Sequence, residues 1–227
     1  MAFKVELCAE ADMARAFEII SEAFGHDLPY IDATFPSHPT TAGRAIGTSR
    51  LIDMMKNDPC TTFVKVVDTE TGLMIAQAKW NIYKDTIPEE KDLDGDFWVN
   101  EDEKRYAQLL YRQWLIPRRK AIRESGGNLF SLDLLTVDPK YQRRGAGRLL
   151  VKWGTSQADK LGLKCVVEST DPGFGLYKSE GFEHCGVWET ELPDEWKESR
   201  RKAKFVWMVR EPQPGQQWLA SRCLRKY

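Results

Sequence analysis

The stretch Leu132–Leu150, which reads Leu-Asp-Leu-Leu-Thr-Val-Asp-Pro-Lys-Tyr-Gln-Arg-Arg-Gly-Ala-Gly-Arg-Leu-Leu, decides the fold class of this 227-residue chain. Its first part belongs to an apolar run that begins at Phe130 and stops at Pro139, because proline lacks the N–H group that a strand ladder needs. Its last part has the apolar spacing of a helix. The stretch therefore predicts a buried strand, a tight turn and a helix in succession.

The turn between strand and helix consists of small and basic residues, Arg143-Arg144-Gly145-Ala146-Gly147, followed by Arg148. Glycine lets the backbone approach a ligand closely, and the first N–H groups of a helix have no acceptor within the helix. Together with the helix dipole and the three arginines, these groups predict a binding site for an anion such as a phosphate. The turn matches neither the Walker loop nor the Gly-x-Gly-x-x-Gly fingerprint of dinucleotide-binding proteins.

The sequence Gln142-Arg143-Arg144-Gly145-Ala146-Gly147 resembles the Gln/Arg-x-x-Gly-x-Gly/Ala signature of the GCN5-related N-acetyltransferase (GNAT) superfamily. A second similarity, Leu176-Tyr177-Lys178-Ser179-Glu180-Gly181-Phe182, follows further along the chain. The resemblance implies an α/β (α+β) GNAT fold with a mixed, strongly bent sheet of about six to seven strands and helices on both faces. It also implies one acetyltransferase domain over residues 1–227.

The resemblance implies an acyltransferase that moves an acetyl group from acetyl-CoA to a primary amine of a small molecule or to an exposed amino group of a peptide. The alternative is a non-catalytic, regulatory acyl-CoA-binding module with the same fold. By position, the pyrophosphate of acetyl-CoA is expected on the loop Gln142, Arg143, Arg144, Gly145, Ala146, Gly147 and Arg148. Gln142 has a second interpretation, in which its side chain braces the turn.

The rest of the cofactor site also follows from the resemblance. The pantetheine arm is expected to bond the main chain of Leu135 and Val137, with an amide near Leu135 polarising the thioester carbonyl. Thr170 stands where many members of the superfamily have asparagine, and its hydroxyl is a candidate for a hydrogen bond to acetyl-CoA. Acetyl-CoA is a co-substrate in this scheme, and no metal is expected.

Acetyl transfer needs an uncharged nucleophilic nitrogen and a proton for the leaving thiolate. The resemblance assigns the acid to Tyr177; the alternative is a tyrosine that packs between helix and sheet. Either role is compatible with its position in the Tyr-x-x-x-Gly-Phe frame.

The general base has two candidates. Asp133 has the strand parity of Leu135 and Val137, and a carboxylate among leucines is costly unless it is paired or its pKa is raised. It is therefore a base, a group that binds a cationic acceptor, or the ion-pair partner of a basic residue such as Lys79. Glu168, at the end of the next predicted strand, is the second candidate base, and its alternative is a structural salt bridge.

Charge and cysteine content exclude several classes of protein. With 33 basic and 34 acidic residues, the chain lacks the strong positive charge of nucleic-acid-binding proteins. No apolar run reaches membrane-spanning length, and the N-terminus has acid where a secretion signal is apolar. The five cysteines show no Cys-x-x-Cys, and His26, His38 and His184 are far apart in the sequence, which predicts reduced thiols and no metal site. We expect a cytoplasmic protein, without excluding the nucleus, that is a monomer or homodimer.

Residues 84–103 contain nine acidic residues against two lysines. This pattern indicates either a solvated loop that leads into a helix or a cavity mouth that attracts a cationic amine. The helix that follows is predicted over 101–124, with a kink or break at Pro117. Its basic end either complements the helix dipole or reaches a CoA phosphate; it comprises Arg118, Arg119, Lys120 and Arg123.

Overall fold

The computed structural model describes residues 2–213. Seven strands among these residues form one sheet; they are β1 (Phe3–Leu7), β2 (Thr61–Asp68), β3 (Met74–Tyr83), β4 (Leu129–Val137), β5 (Cys165–Ser169), β6 (Glu183–Glu189) and β7 (Lys204–Arg210). Their order across the sheet is β1-β2-β3-β4-β5-β7-β6, and only β4 and β5 are parallel neighbours. The predicted mixed sheet of six to seven strands is confirmed.

Helices cover both faces of this sheet. They are α1 (Met13–Phe24), α2 (Pro29–Thr34), α3 (Thr41–Asn57), α4 (Glu101–Trp114), α5 (Ile116–Glu124), α6 (Ala146–Leu161) and α7 (Asp171–Ser179). The buried side chains of α1–α5 pack in one core on one face, and those of α6 and α7 pack in a second core on the other. No helix between residues 2 and 213 is both long and apolar enough to cross a bilayer.

One stretch differs from the sequence-based assignment, and a second confirms it. The segment 25–39, whose three prolines and lack of apolar periodicity predict a loop, contains the short helix α2, which begins with Pro29. Proline suits the first turn of a helix because its missing N–H would have no acceptor there. Pro117 lies in the first turn of α5 for the same reason, and the break predicted there is confirmed, because the helix predicted over 101–124 is two helices that meet at Leu115.

Strand β4 carries a bulge at Asp133. Trp80 of β3 pairs with Leu132, whereas the preceding residue, Lys79, pairs with Leu134, so Asp133 has no partner residue on β3. An extra residue in one strand breaks the alternation of side chains between the two faces of a sheet. The faces assigned to residues after the bulge therefore cannot be read from the residues before it.

The bulge corrects one expectation. Asp133 and Leu134 face the side of the sheet that carries α1–α5, and Leu135 and Val137 pack with the core on the α6 side. The prediction that Asp133 shares a face with Leu135 and Val137 is wrong, because the extra residue shifts the strand parity between them.

Strands β4 and β5 part soon after they meet. Their pairing runs from Phe130 opposite Cys165 to Leu132 opposite Val167 and then ends. Beyond that point β4 continues to pair with β3, and β5 continues to pair with β7. The two strands therefore open a gap in the middle of the sheet.

The described cysteines are free thiols: Cys8, Cys60, Cys165 and Cys185. Burial raises the pKa of the thiols of Cys8 and Cys165 to about 12, so both remain neutral at physiological pH. The fifth cysteine, Cys223, lies outside the described residues.

Helix α6 packs closely over the sheet at Gly154. A Cβ atom at Gly154 would lie 2.2 Å from the indole ring of Trp80, which is fully buried against Phe130.

We expect Gly154→Ala to lower the free energy of unfolding by about 1–3 kcal/mol through overpacking, despite the better helix propensity of alanine. Urea denaturation measures this loss. Gly175→Ala in α7 is the control, because a Cβ there meets open space; equal stability losses for both variants would contradict the close packing.

Candidate active site

Two cavities lie on opposite sides of β4 near the point where β4 and β5 part. The large cavity, of about 930 Å³, is lined by residues 135–137, the first turn of α6 and α7. The small cavity, of about 260 Å³, is lined by Asp133, Leu134 and residues of α2, α3, α4 and α5. Since Leu134 and Leu135 are consecutive, the two cavities adjoin across a single strand.

The turn at the floor of the large cavity has the backbone of an anion-binding loop. Gly145 precedes α6 with φ of +95°, and Arg143 also has a positive φ, of +62°. No side chain caps the helix, and the amides of Ala146, Gly147 and Arg148 donate to no acceptor among residues 2–213. Three N–H groups and the positive end of the helix dipole are thus free to bind an anion.

The open edge of β4 faces the same cavity. The amide of Asp138 donates to the carbonyl of Ile75 on β3 at 2.8 Å. Because backbone groups alternate along an antiparallel strand, the N–H and C=O groups of Leu135 and Val137 point away from β3 and into the gap. Gln142 Nε2 donates to the Val137 carbonyl at 3.3 Å, so the side chain of Gln142 braces the turn.

The three arginines of the turn have different surroundings. Arg143 and Arg148 line the large cavity, and Arg148 Nε also lies 2.9 Å from Glu180. Arg144 is directed over the ring of Tyr141, 5.2 Å from its centroid, and is absent from the cavity lining formed by the described residues. The sequence alone could not predict which of these three arginines line the cavity.

Two lysines that the sequence did not single out also line the large cavity. Lys204 is the first residue of β7, and Lys202 lies just before the strand. They reach the cavity because β7 inserts between β5 and β6 in the sheet, a long-range pairing that no local motif encodes. Their charge adds to that of Arg143 and Arg148 around the turn.

Tyr177 and Thr170 both lie in the wall of the large cavity. Tyr177 is buried, packs edge-on against Phe182 at 5.8 Å, and its hydroxyl has no hydrogen-bond partner in the described chain. Burial, followed by the negative charge of Glu168, raises the pKa of Tyr177 well above that of a free tyrosine. Thr170 precedes α7 without capping it, so its hydroxyl also remains available to a ligand.

A buried cluster of four charges bridges the gap between β4 and β5. Arg118 of α5 donates from Nε to Glu168 at 3.0 Å and also pairs with Glu168 and Asp133 through its two terminal nitrogens. Lys79 of β3 donates to Asp133 at 2.6 Å. The ion pair with Lys79 that the sequence allowed is therefore present, and the two positive charges balance the two carboxylates.

The two carboxylates differ in basicity. Burial alone would raise the pKa of Asp133, but the charges of Lys79 and Arg118 outweigh burial and hold it well below the ordinary range. Burial raises the pKa of Glu168, and the Arg118 guanidinium offsets only part of that rise. Asp133 lines the small cavity as an ionised group, whereas the Glu168 side chain is enclosed.

Unpaired tyrosine hydroxyls point to a polar ligand in the small cavity. Tyr30, Tyr83 and Tyr111 line it, and none of their hydroxyls has a hydrogen-bond partner among residues 2–213. Burial is the largest cause of the raised pKa of each phenol, so all three are neutral donors at physiological pH.

Acidic side chains of residues 84–103 meet basic partners. Glu90 pairs with Arg119 and Arg123 of α5, and further pairs join Asp92 with Arg112 and Asp94 with Lys104. The basic end of α5 therefore forms salt bridges with the acidic segment and, through Arg118, with the carboxylates of the buried cluster. The described residues that line the large cavity include none of its four basic residues.

The structure brings together two histidines that are far apart in the sequence. His26 Nδ1 and His38 Nε2 lie 2.8 and 3.1 Å from Asp32 Oδ1, and Arg201 donates to Asp32 Oδ2 at 2.6 Å. The ligand atoms of His26, Asp32 and His38 all lie within 4.8 Å of one another. Sequence spacing gave no indication of this group, which joins α2 to the segment before β7.

We expect Asp133→Asn to lower the free energy of unfolding at pH 7 by about 3–5 kcal/mol, because it breaks a buried charge cluster. The folded pKa of Asp133 is lowered, so its stabilisation is present above the ordinary carboxyl pKa and declines as the pH falls below it. The difference between wild type and variant should thus shrink below about pH 4. Urea denaturation at pH 7 and at a pH below about 4 measures this difference in the free energy of unfolding. Asp92→Asn removes a more exposed pair with Arg112 and should cost less than about 1 kcal/mol; a similar cost for both would contradict the cluster.

No protein-family model matches the sequence, and no curated protein matches it at a significant level. Solved structures do match. Arylalkylamine N-acetyltransferase 2 from Aedes aegypti has a TM-score of 0.65 at 14% identity, over 94% of this chain and 100% of that one. The ribosomal-protein-S18-alanine N-acetyltransferase from Escherichia coli has a TM-score of 0.53 at 17% identity, over 95% and 97%. The PaiA N-acetyltransferase from Thermoplasma acidophilum, in complex with coenzyme A, has a TM-score of 0.52 at 12% identity, over 93% and 99%. The chain has the fold of the GCN5-related N-acetyltransferase superfamily.

Proposed function

We propose that the chain is an acetyl-CoA-dependent N-acetyltransferase whose acceptor is a primary amine of a small molecule or an exposed amino group. The observation that carries this proposal is the pair of cavities that adjoin across β4, one with free backbone donors and one lined by tyrosines. A reaction between two substrates needs both held side by side, and a shared strand provides that arrangement.

The large cavity fits acetyl-CoA. Its turn offers the free amides of residues 146–148 and the side chains of Arg143 and Arg148 to a pyrophosphate. The open edge of β4 offers the N–H and C=O groups of Leu135 and Val137 to the amides of the pantetheine arm, as an added strand would bind. Gln142 braces this turn in our proposal, and Thr170 adds a hydroxyl to the wall.

Acetyl-CoA supplies, when bound, a thioester whose C–S bond breaks as the amine nitrogen forms a C–N bond with the carbonyl carbon. The N–H of Leu135 is placed to stabilise the negative charge that develops on the carbonyl oxygen. Tyr177 donates a hydrogen bond, and then its proton, to the departing sulfur. Its raised pKa keeps the phenol protonated until charge appears on the sulfur.

The two carboxylates take separate roles in this proposal. Asp133 lines the small cavity, where Lys79 and Arg118 neutralise its charge, and its low basicity does not suit removal of a proton, so its role is to hold these two bases in place. Glu168 is the more basic carboxylate and is the candidate base; because its side chain is enclosed and Arg118 holds both of its oxygens, it takes the proton of the amine through an intervening water rather than by direct contact. Glu168 also holds Arg118 in place and raises the pKa of Tyr177.

Gly145→Val tests the cofactor site. Valine is strained at φ of +95°, so the turn must change shape, and we expect the Kd for acetyl-CoA to rise at least about tenfold in calorimetric titration. Gly162→Val is the matched control, because Gly162 has φ of +68° at the other end of α6 and also faces open space. The control should lose comparable stability and keep its affinity. Unchanged affinity in Gly145→Val would remove the turn from the site.

Tyr177→Phe tests the acid. We expect kcat to fall about 100-fold or more with little change in the KM for acetyl-CoA, since the ring remains and only the proton donor is lost. A thiol-release assay across arylalkylamines, polyamines, aminoglycosides, amino acids and lysine peptides provides the measurement. Tyr106→Phe, whose hydroxyl bonds the backbone of Arg201 outside both cavities, is the control. Acetyl-CoA binding without thiol release from any amine would favour the regulatory module.

A further inference from the structure

Arg50 of α3 lies in the wall of the small cavity with its guanidinium between two phenyl rings. The centroids of Phe35 and Phe97 are 4.4 and 4.3 Å from the guanidinium carbon. One terminal nitrogen donates to the carbonyl of Thr34, and the other N–H groups have no acceptor among residues 2–213. The rings thus hold the guanidinium in place and leave donors free toward the cavity.

Arg50 differs from the other bases of the small cavity, each of which has a carboxylate partner. Those bases are Lys79, Lys91, Arg118, Arg119 and Arg123. Arg50 forms no ion pair with any described residue. Six basic and four acidic side chains line the cavity, so its net charge is positive.

The charge of Arg50 is partly desolvated. Burial lowers the pKa of its guanidinium to about 10, and only the phenols of Tyr30 and Tyr111 act in the opposite direction. The group therefore stays protonated at neutral pH with less water around it than an exposed arginine has. A partly buried cation without a counter-ion binds an anion strongly, because the anion restores the solvation that burial removed.

The other residues that line the small cavity indicate the chemistry of the rest of the ligand. Apolar side chains, among them Ile31, Met54 and Leu134, line the cavity together with the tyrosines. This lining matches a molecule with an apolar body and a few polar groups. The reacting amine has to lie at β4, where the large cavity adjoins, and its anionic group at α3, where Arg50 stands.

We infer that the small cavity takes a primary amine that also carries a carboxylate, namely an amino acid with an apolar side chain, and that Arg50 binds the carboxylate. This inference rests on the proposed acetyl transfer for the identity of the second substrate. The acidic segment 84–103 does not oppose it, because Glu89 and Glu90 of the cavity wall are paired with lysine or arginine.

The test compares each L-amino acid of an apolar series, such as phenylalanine and leucine, with its decarboxylated amine. Wild-type protein should show kcat/KM at least roughly tenfold higher for the acid of the preferred pair. Arg50→Met keeps the length and apolar stem of the side chain and should abolish this preference by raising the KM for the acid. Arg50→Lys should retain part of it. Arg112→Met, which removes an exposed arginine outside both cavities, is the matched control and should keep the preference.

The outcomes separate this inference from the proposed function. Equal use of acid and amine by wild type, or a preference that survives Arg50→Met, would overturn the inference while acetyl transfer stands. If no amine releases thiol, calorimetry decides: binding of the L-amino acid that is lost in Arg50→Met and kept in Arg112→Met supports the carboxylate site. Absence of such binding would overturn it.

Discussion

The buried ion pairs of Arg118 connect two strands at the place where their backbone pairing ends. Asp133 and Glu168 directly follow Leu132 and Val167, the last paired residues of β4 and β5. Burying a guanidinium and two carboxylates is costly, and it is tolerated here because Lys79 completes a neutral set and each carboxylate accepts two side-chain hydrogen bonds. Side-chain ion pairs thus replace a strand ladder, and the gap between the strands acquires a defined width.

That gap determines where chemistry can occur. Backbone donors on the edge of β4 have no strand to pair with, and such donors are costly unless water or a ligand satisfies them. The bulge at Asp133 then places consecutive parts of β4 against different cavities, with Leu134 on one side and Leu135 on the other. One strand therefore serves both as the edge that receives one substrate and as the partition next to the other.

The sequence predicts what local chemistry determines. Pro139 ends β4, the glycines around residue 145 need a turn, and the apolar spacing of α6 needs a helix, so the strand, turn and helix are all correct. It could not predict the bulge, which depends on the register with β3. It also could not join Arg118 to Glu168, because the two are fifty residues apart and meet only after β5 inserts beside β4. The orientations of Arg144 and Gln142 depend on similar tertiary contacts.

Charge is the property for which sequence and structure differ most. Counted along the chain, residues 84–103 form a strongly acidic segment, and a cationic ligand is one natural interpretation. In the fold, the bases of α4 and α5 neutralise acids of this segment, including Glu90 in the cavity wall. A cavity attracts a ligand through the charges that remain unpaired. Among the described residues of this wall, Arg50 is the base without a carboxylate partner. No feature of its own sequence neighbourhood distinguishes it from the other arginines. The local density of charge in a sequence is therefore a poor guide to a binding site whenever helices from elsewhere in the chain supply the counter-ions.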